Sequence, residues 1–189
     1  MTRIYMIRHG KPAATWGGSD DDPGLDAEGE AQAAAAAKAL LSLPRSDRPS
    51  RVASSPLRRC RETAQPFAEA LGLALEIVPE VGEIPTPASL AAADRPAWLR
   101  AAFTGRWSEI VGDLDYNAWR HAVTAAVAAR PGCAIFSHFV AINAALSVVE
   151  DRAEVIGFRP DHTSITTLET SADGLKLVAR GREASTGVL

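Results

Sequence analysis

Two short apolar runs in this chain end in the same way. Ile4-Tyr5-Met6-Ile7 runs straight into Arg8-His9-Gly10, and Cys133-Ala134-Ile135-Phe136 runs into Ser137-His138. Four apolar residues without alternation read as a strand buried on both faces, which is how strands look in sheets covered by helices on both sides. Where such a run stops at a polar residue, that residue sits at a strand's carboxyl end, the edge along which open α/β sheets bind ligands. One strand-end histidine could serve packing alone. Two at the same relative place, with Arg8 beside the first, point to chemistry. Gly10 lets the chain turn sharply there and lets a ligand approach the backbone.

The intervening sequence alternates helix and strand signals. Asp26 is a plausible N-cap, with Glu28 at the positive end of a helix running to about Leu43, before Pro44. Arg51-Val52-Ala53-Ser54 reads as a strand. Ser55 as N-cap and Pro56 at the first helical position start another helix, with Leu57, Cys60, Ala64, Phe67 and Leu71 on one face. Arg58, Arg59 and Arg61 crowd its first turn, where the helix dipole favours anions. They either point into solvent or build an anion site from guanidinium forks and helix N–H groups. Helical phase does not separate Arg58 from Arg59.

Leu73 to Val78 is a further strand candidate, closed by Pro79 and followed by the irregular acidic segment Val81 to Pro87. Residues 89–112 read as an insertion carrying Trp98, Phe103 and Trp107, with a helical pattern broken at Pro96 and Gly105. Asp113 to Arg130 reads as a helix on the repeat Leu114, Ala118, His121-Ala122, Ala125, Ala129, with His121 structural or exposed. Another helix runs from His138 to about Val149, and a hairpin closes the chain around Ser171-Ala172-Asp173-Gly174. His162 reads as an exposed loop residue, with an approach to the pocket rim as the alternative, and the residues from Gly181 read as a frayed end. In the loop from Lys11 to Pro23, Asp20-Asp21-Asp22 reads as a solvated turn rather than a metal site, and Trp16 as either a lid or a loop anchor.

The length of 189 residues suits one domain with a real core, and the net charge of −3 gives no basic field for nucleic acid or an anionic membrane. Cys60 and Cys133, the two cysteines, are too few for a disulfide framework and read as buried free thiols. No apolar run approaches a membrane span, and no signal segment opens the chain, so the expected location is cytoplasmic.

Arg8-His9-Gly10 after an N-terminal strand resembles the signature of the histidine phosphatase superfamily, the phosphoglycerate mutase-like fold. Ser55-Pro56-Leu57, Arg59 and Thr63-Ala64 resemble that family's phosphate-arginine segment and pick out Arg59. Glu83, two residues after Val81, stands where the family carries its catalytic acid, with Glu80 as competitor. His138 stands at the family's second histidine, with Phe139 in place of the usual following glycine and Asn143 where many members carry arginine.

The resemblance implies a three-layer α/β/α sandwich with a mostly parallel central sheet. It implies one domain over residues 1–189 with a small helical cap insertion at 84–112. It also implies a phosphoric monoester hydrolase working through a phosphohistidine on His9. Glu83 would be the proton donor, Arg8, Arg59 and His138 would hold the phosphate, and Gly10 would line the site. No metal or cofactor is expected, because arginines and histidines supply the positive charge, and the expected partner is a small phosphorylated substrate. A mutase using the same site, and a non-catalytic phospho-ligand-binding module, are the alternatives.

Overall fold

The computed structural model describes residues 2–14, 22–172 and 174–185. Trp16, Asp20, Asp21 and Asp173 lie outside the described residues.

Six strands form one sheet: β1 (Thr2–Arg8), β2 (Arg51–Ser54), β3 (Leu75–Ile77), β4 (Cys133–Ser137), β5 (Ile165–Ser171) and β6 (Gly174–Ala179), in the order β3-β2-β4-β1-β5-β6. The first four in that order run parallel, and the β5–β6 hairpin closes the β1 side antiparallel. The helices are α1 (Ala27–Leu41), α2 (Arg58–Leu71), α3 (Arg95–Thr104), α4 (Tyr116–Ala128) and α5 (Phe139–Val149). This is the expected α/β architecture with a mostly parallel central sheet.

The alternation of side chains along β1 divides the core. Tyr5 and Ile7 pack with Ala37 and Leu40 of α1 and Cys60, Ala64 and Phe67 of α2. Ile4 and Met6 pack with Val127 of α4 and Ile142, Ala145 and Leu146 of α5. Each fully buried aliphatic or aromatic side chain contributes roughly 1.5–3 kcal/mol, so both layers are firmly held to the sheet. The helices that follow β1 and β2 therefore cover one face, and α5, which follows β4, covers the other. Because β1 and β4 are neighbours, a crevice opens between their carboxyl ends, where ligands bind in open sheets.

Local chemistry explains several departures from the sequence reading. The first helical residue of α2 is Arg58 rather than Pro56. The Arg58 N–H donates to Asp22 Oδ1 at 2.8 Å, so a distant aspartate caps the helix in addition to Ser55, whose Oγ accepts a longer 3.3 Å bond from Leu57 N. Pro96 opens α3 instead of interrupting it, because proline is tolerated in a first turn. Asp115 caps α4 by accepting from Ala118 N at 2.9 Å, and the buried stripe of that helix is Tyr116, Val123 and Val127, while Leu114 is exposed. The stretch after Gly181 is not frayed as far as Ser185: Ala184 N donates to Arg159 O and Asp161 N to Arg182 O, both at 2.9 Å.

Residues 84–112 pack beside α4 and α5. Trp98 and Trp107 turn into a cluster with Ile84, Leu99, Tyr116 and Phe139, and Trp107 is buried. Both tryptophans therefore have a packing role. Among the described residues no helix is long and apolar enough to cross a membrane.

Candidate active site

The parallel pairing of β1 and β4 sets Arg8 opposite Ser137, so the next residue on each strand is a histidine at the same level of the sheet. His9 N donates to Ser137 O at 2.9 Å, and the rings of His9 and His138 stand 5.3 Å apart at 61°. Both histidines are buried.

Gly10 sits where the chain leaves β1. A Cβ there would lie 2.7 Å from Gly29 O, and one on Gly29 would lie 2.2 Å from Lys11 O. Paired glycines thus let the first turn of α1 close against the strand end. Gly10 N donates to Thr63 Oγ1 at 2.9 Å, and Thr63 Oγ1 donates to Arg59 O at 2.6 Å, which ties α2 to the same turn.

Arg59 and Arg58 separate clearly. Arg58 is exposed and pairs with Glu62 at 2.6 Å. Arg59 is buried, with Nη2 3.3 Å from His138 Nδ1 and 3.5 Å from Glu83 Oε2. Arg8 is also buried. It donates to Pro160 O at 3.0 Å and lies 5.4 Å from the Phe139 ring. Its Nε has no hydrogen-bond partner among the described residues, and such an unsatisfied buried donor is one an anion would satisfy.

Glu83 is held between two buried anchors, Val81 and Ile84, and Ser137 Oγ donates to Val81 O at 2.7 Å. Its Oε2 is 3.3 Å from His138 Nδ1, and its Oε1 accepts from Ile84 N at 3.2 Å. Glu80, the competing acid, is exposed on the turn Pro79–Val81. The structure thus brings Arg8, His9, Gly10, Arg59, Glu83 and His138 together and leaves Glu80 outside.

The electrostatics follow from burial and crowding of positive charge. Burial first, then His138, Arg59 and Arg8, hold the His9 ring well below the usual imidazole value of 6.5, so it is neutral at physiological pH. His9 Nδ1 lies 2.8 Å from Gly10 O. A carbonyl can only accept, so Nδ1 carries the hydrogen and Nε2 keeps a free lone pair. Burial would raise Glu83, but the His138 ring, Arg59 and the Ile84 N–H together bring it down to about 2. Burial lowers Arg8 to about 10, which leaves it protonated. Among the described residues no group of three or more His, Cys, Asp or Glu could hold a metal ion.

Two residues reach the site that sequence reasoning placed elsewhere. Ser55 Oγ lies 2.8 Å from His138 Nε2, in addition to its capping contact. His162 is half-buried with its ring 6.0 Å from His9, not an exposed loop residue. Burial, then Arg8, lowers it to about 4. The turn that carries it is braced by Arg182, which donates to Asp161 Oδ2 and His162 O, both at 3.0 Å. Thr163, at φ 55, is a β-branched residue in the left-handed region. Asn143, at the position of the family's arginine, faces away from phosphate chemistry: it bonds Phe139 O, Phe158 O and the N–H groups of Gly157 and Phe158.

Two strand-end histidines and two buried arginines converge on the crevice of a mostly parallel sheet in this α/β protein. Residues 4–182 match the histidine phosphatase superfamily (branch 1), and the chain belongs to that superfamily. A stretch of 127 residues is 35% identical to an uncharacterized protein of Mycobacterium tuberculosis, covering 60% of this chain and 60% of that relative, so the match spans three fifths of either length. Among solved structures, the mycobacterial glucosyl-3-phosphoglycerate phosphatase superposes with a TM-score of 0.73 at 22% identity, over 97% of this chain and 100% of that one. The phosphoserine phosphatase of Entamoeba histolytica superposes with a TM-score of 0.75 at 18% identity, over 96% of this chain and 98% of that one. These similarities establish the shared fold.

Proposed function

We propose that the protein is a phosphatase that hydrolyses a small phosphomonoester through a phosphohistidine on His9 and needs no metal. Residues 84–112 would act as a cap within the one domain. The observation that carries this reading is the state of His9: a buried, neutral ring whose Nδ1 is held by Gly10 O, next to Arg8, Arg59 and His138.

In the first step His9 Nε2 attacks phosphorus and the ester P–O bond breaks. The leaving alkoxide takes a proton from Glu83, and Arg8, Arg59 and His138 hold the equatorial oxygens. In the second step water attacks phosphorus, the P–N bond breaks, and the Glu83 carboxylate takes the proton from water.

Glu83 is ionised in the free protein, with a pKa of about 2, so it must gain a proton before it can donate one. The bound phosphate competes for Arg59 and His138, the groups that hold the carboxylate down, and adds negative charge beside it. Both effects raise the carboxyl pKa. An ester arriving as the monoanion, whose second ionisation lies at about 6, brings the proton with it.

The test is phosphate release from an aryl phosphate in excess chelator, wild type against His9→Ala, with an alkaline quench to trap phosphohistidine. Wild type should release phosphate and show the labelled histidine, and His9→Ala should lose at least about 10⁴-fold in turnover. Turnover retained in His9→Ala would remove His9 as nucleophile. Phosphate passed to an acceptor alcohol in preference to water would identify a mutase.

A further inference from the structure

We propose that Ser55 is a positioning residue that fixes His138 as its Nδ1–H tautomer and thereby aims a hydrogen-bond donor at the phosphate. The geometry is a line of contacts running from the start of α2 into the crevice. Leu57 N donates to Ser55 Oγ at 3.3 Å, Ser55 Oγ lies 2.8 Å from His138 Nε2, and His138 Nδ1 lies 3.3 Å from Glu83 Oε2.

Burial lowers His138 from the usual imidazole value, and for the neutral ring one assignment of hydrogens satisfies all three contacts. A bare Nδ1 would set its lone pair against a carboxylate oxygen, so Nδ1 carries the hydrogen. In a neutral imidazole Nε2 is then an acceptor, and the Ser55 hydroxyl, whose oxygen already accepts from Leu57 N, donates to it. The Cys60 contact fits the same assignment. The Cys60 thiol is 3.3 Å from Nε2 but has Ser137 O as an acceptor at 3.4 Å. Arg59 Nη2 also donates toward Nδ1, 3.3 Å away, and with Nδ1 protonated it turns to Glu83 Oε2, at 3.5 Å. His9 meets His138 ring to ring, without a hydrogen bond between them.

The tautomer matters because Nδ1 is the nitrogen that faces Glu83 and Arg59, where the phosphate oxygens go in the reading above. A hydrogen there is a donor to the charge that builds in the transition state. A lone pair there would repel that charge. Without the serine hydroxyl, Nε2 can keep the hydrogen instead, facing Cys60.

The inference rests on the crevice being a phosphate site, and its test is read without turnover. In the ¹⁵N-histidine-labelled protein, with His138 assigned by its loss in His138→Gln, Nε2 should resonate as an unprotonated ring nitrogen and Nδ1 as a protonated one. Ser55→Ala should move His138 toward the opposite pattern and lower kcat about a hundredfold, as removing one donor to developing charge does, with KM changed far less. Ser55→Thr, which keeps the hydroxyl, should restore both. A wild-type ring protonated at Nε2 would overturn the proposal even if Ser55→Ala fails to fold. So would a loss of kcat in Ser55→Ala with the tautomer unchanged, since Ser55 would then act only on the start of α2. Turnover surviving in His9→Ala would remove the phosphatase reading and leave the tautomer measurement standing.

Discussion

The ends of β1 and β4 look alike as sequence and differ as chemistry. Each is a four-residue apolar strand that stops at a polar residue and then a histidine. At β1, the His9 Nδ1 is taken up by the carbonyl of the next residue, and Nε2 has no hydrogen-bond partner among the described residues. At β4, both nitrogens of His138 are engaged, one by Ser55 and the other by Glu83. The strand fold delivers both rings to one place. Neighbours from other elements leave His9 with one nitrogen engaged and His138 with both. A nucleophile needs a free lone pair, and a donor to phosphate needs its hydrogen held in one position.

The acid tests the His138 side of this contrast. Glu83→Gln keeps an oxygen to accept from the His138 ring but has no proton to give. It should slow turnover of an alkyl phosphate about 10³-fold. The effect should be much smaller for an aryl phosphate, whose leaving group needs no proton. Glu80→Gln, on the exposed turn, should match wild type with both. Steady-state rates on the two ester types check this, and an equal loss with both would show that Glu83 acts by charge or position instead of proton transfer.

His138→Gln sharpens the contrast directly. If the two histidines divide the work as their contacts suggest, this variant should still form phosphohistidine on His9, only more slowly. Turnover should fall about 10²-fold, the size of losing one donor to developing charge. Trapped phosphohistidine in an alkaline quench is the readout. Its complete absence would make His138 as indispensable as His9 and erase the distinction.

Much of this was legible from the chain because it rests on local signals. The two strand-end histidines follow from apolar runs that stop abruptly, and Asp26 caps α1 as read, accepting from Gly29 N at 2.7 Å. Arg59 is the harder case. Helix phase leaves it level with Arg58, and the fold separates them by burying one and pairing the other with Glu62. What could not be read depends on contacts across the chain. Ser55 looks like an N-cap because serine before proline usually is one, and only the arrival of Asp22 and His138 from elsewhere shows its further contact. His162 looks like a loop residue because nothing nearby in sequence explains it. It is half-buried with its ring beside His9, and Arg182 docks onto the neighbouring Asp161 from across the closing hairpin.

The smallest effect expected is on stability, and it separates the two histidines by environment alone. Burial lowers His9, His138 and His162 from the imidazole value of 6.5. Below that pH the unfolded chain takes up protons that the folded protein refuses, so stability falls as pH falls. The loss continues until each folded group titrates, near pH 4 for His162. Glu83 adds a second window of the same sign. Its contribution is whole above the ordinary 4.5 and disappears as pH falls toward about 2. Within the first window His9 and His138 differ, because the Glu83 carboxylate partly offsets burial at His138, while at His9 the charges nearby add to it. A group that stays unprotonated on folding costs up to about 1.4 kcal/mol per pH unit. His9→Gln should therefore flatten the fall in unfolding free energy between pH 6.5 and pH 4.5 more than His138→Gln does. Denaturant unfolding across that range measures both slopes. Equal flattening would mean that the two rings titrate alike, and that hydrogen-bond geometry alone, without any difference in charge, sets the nucleophile apart from the donor.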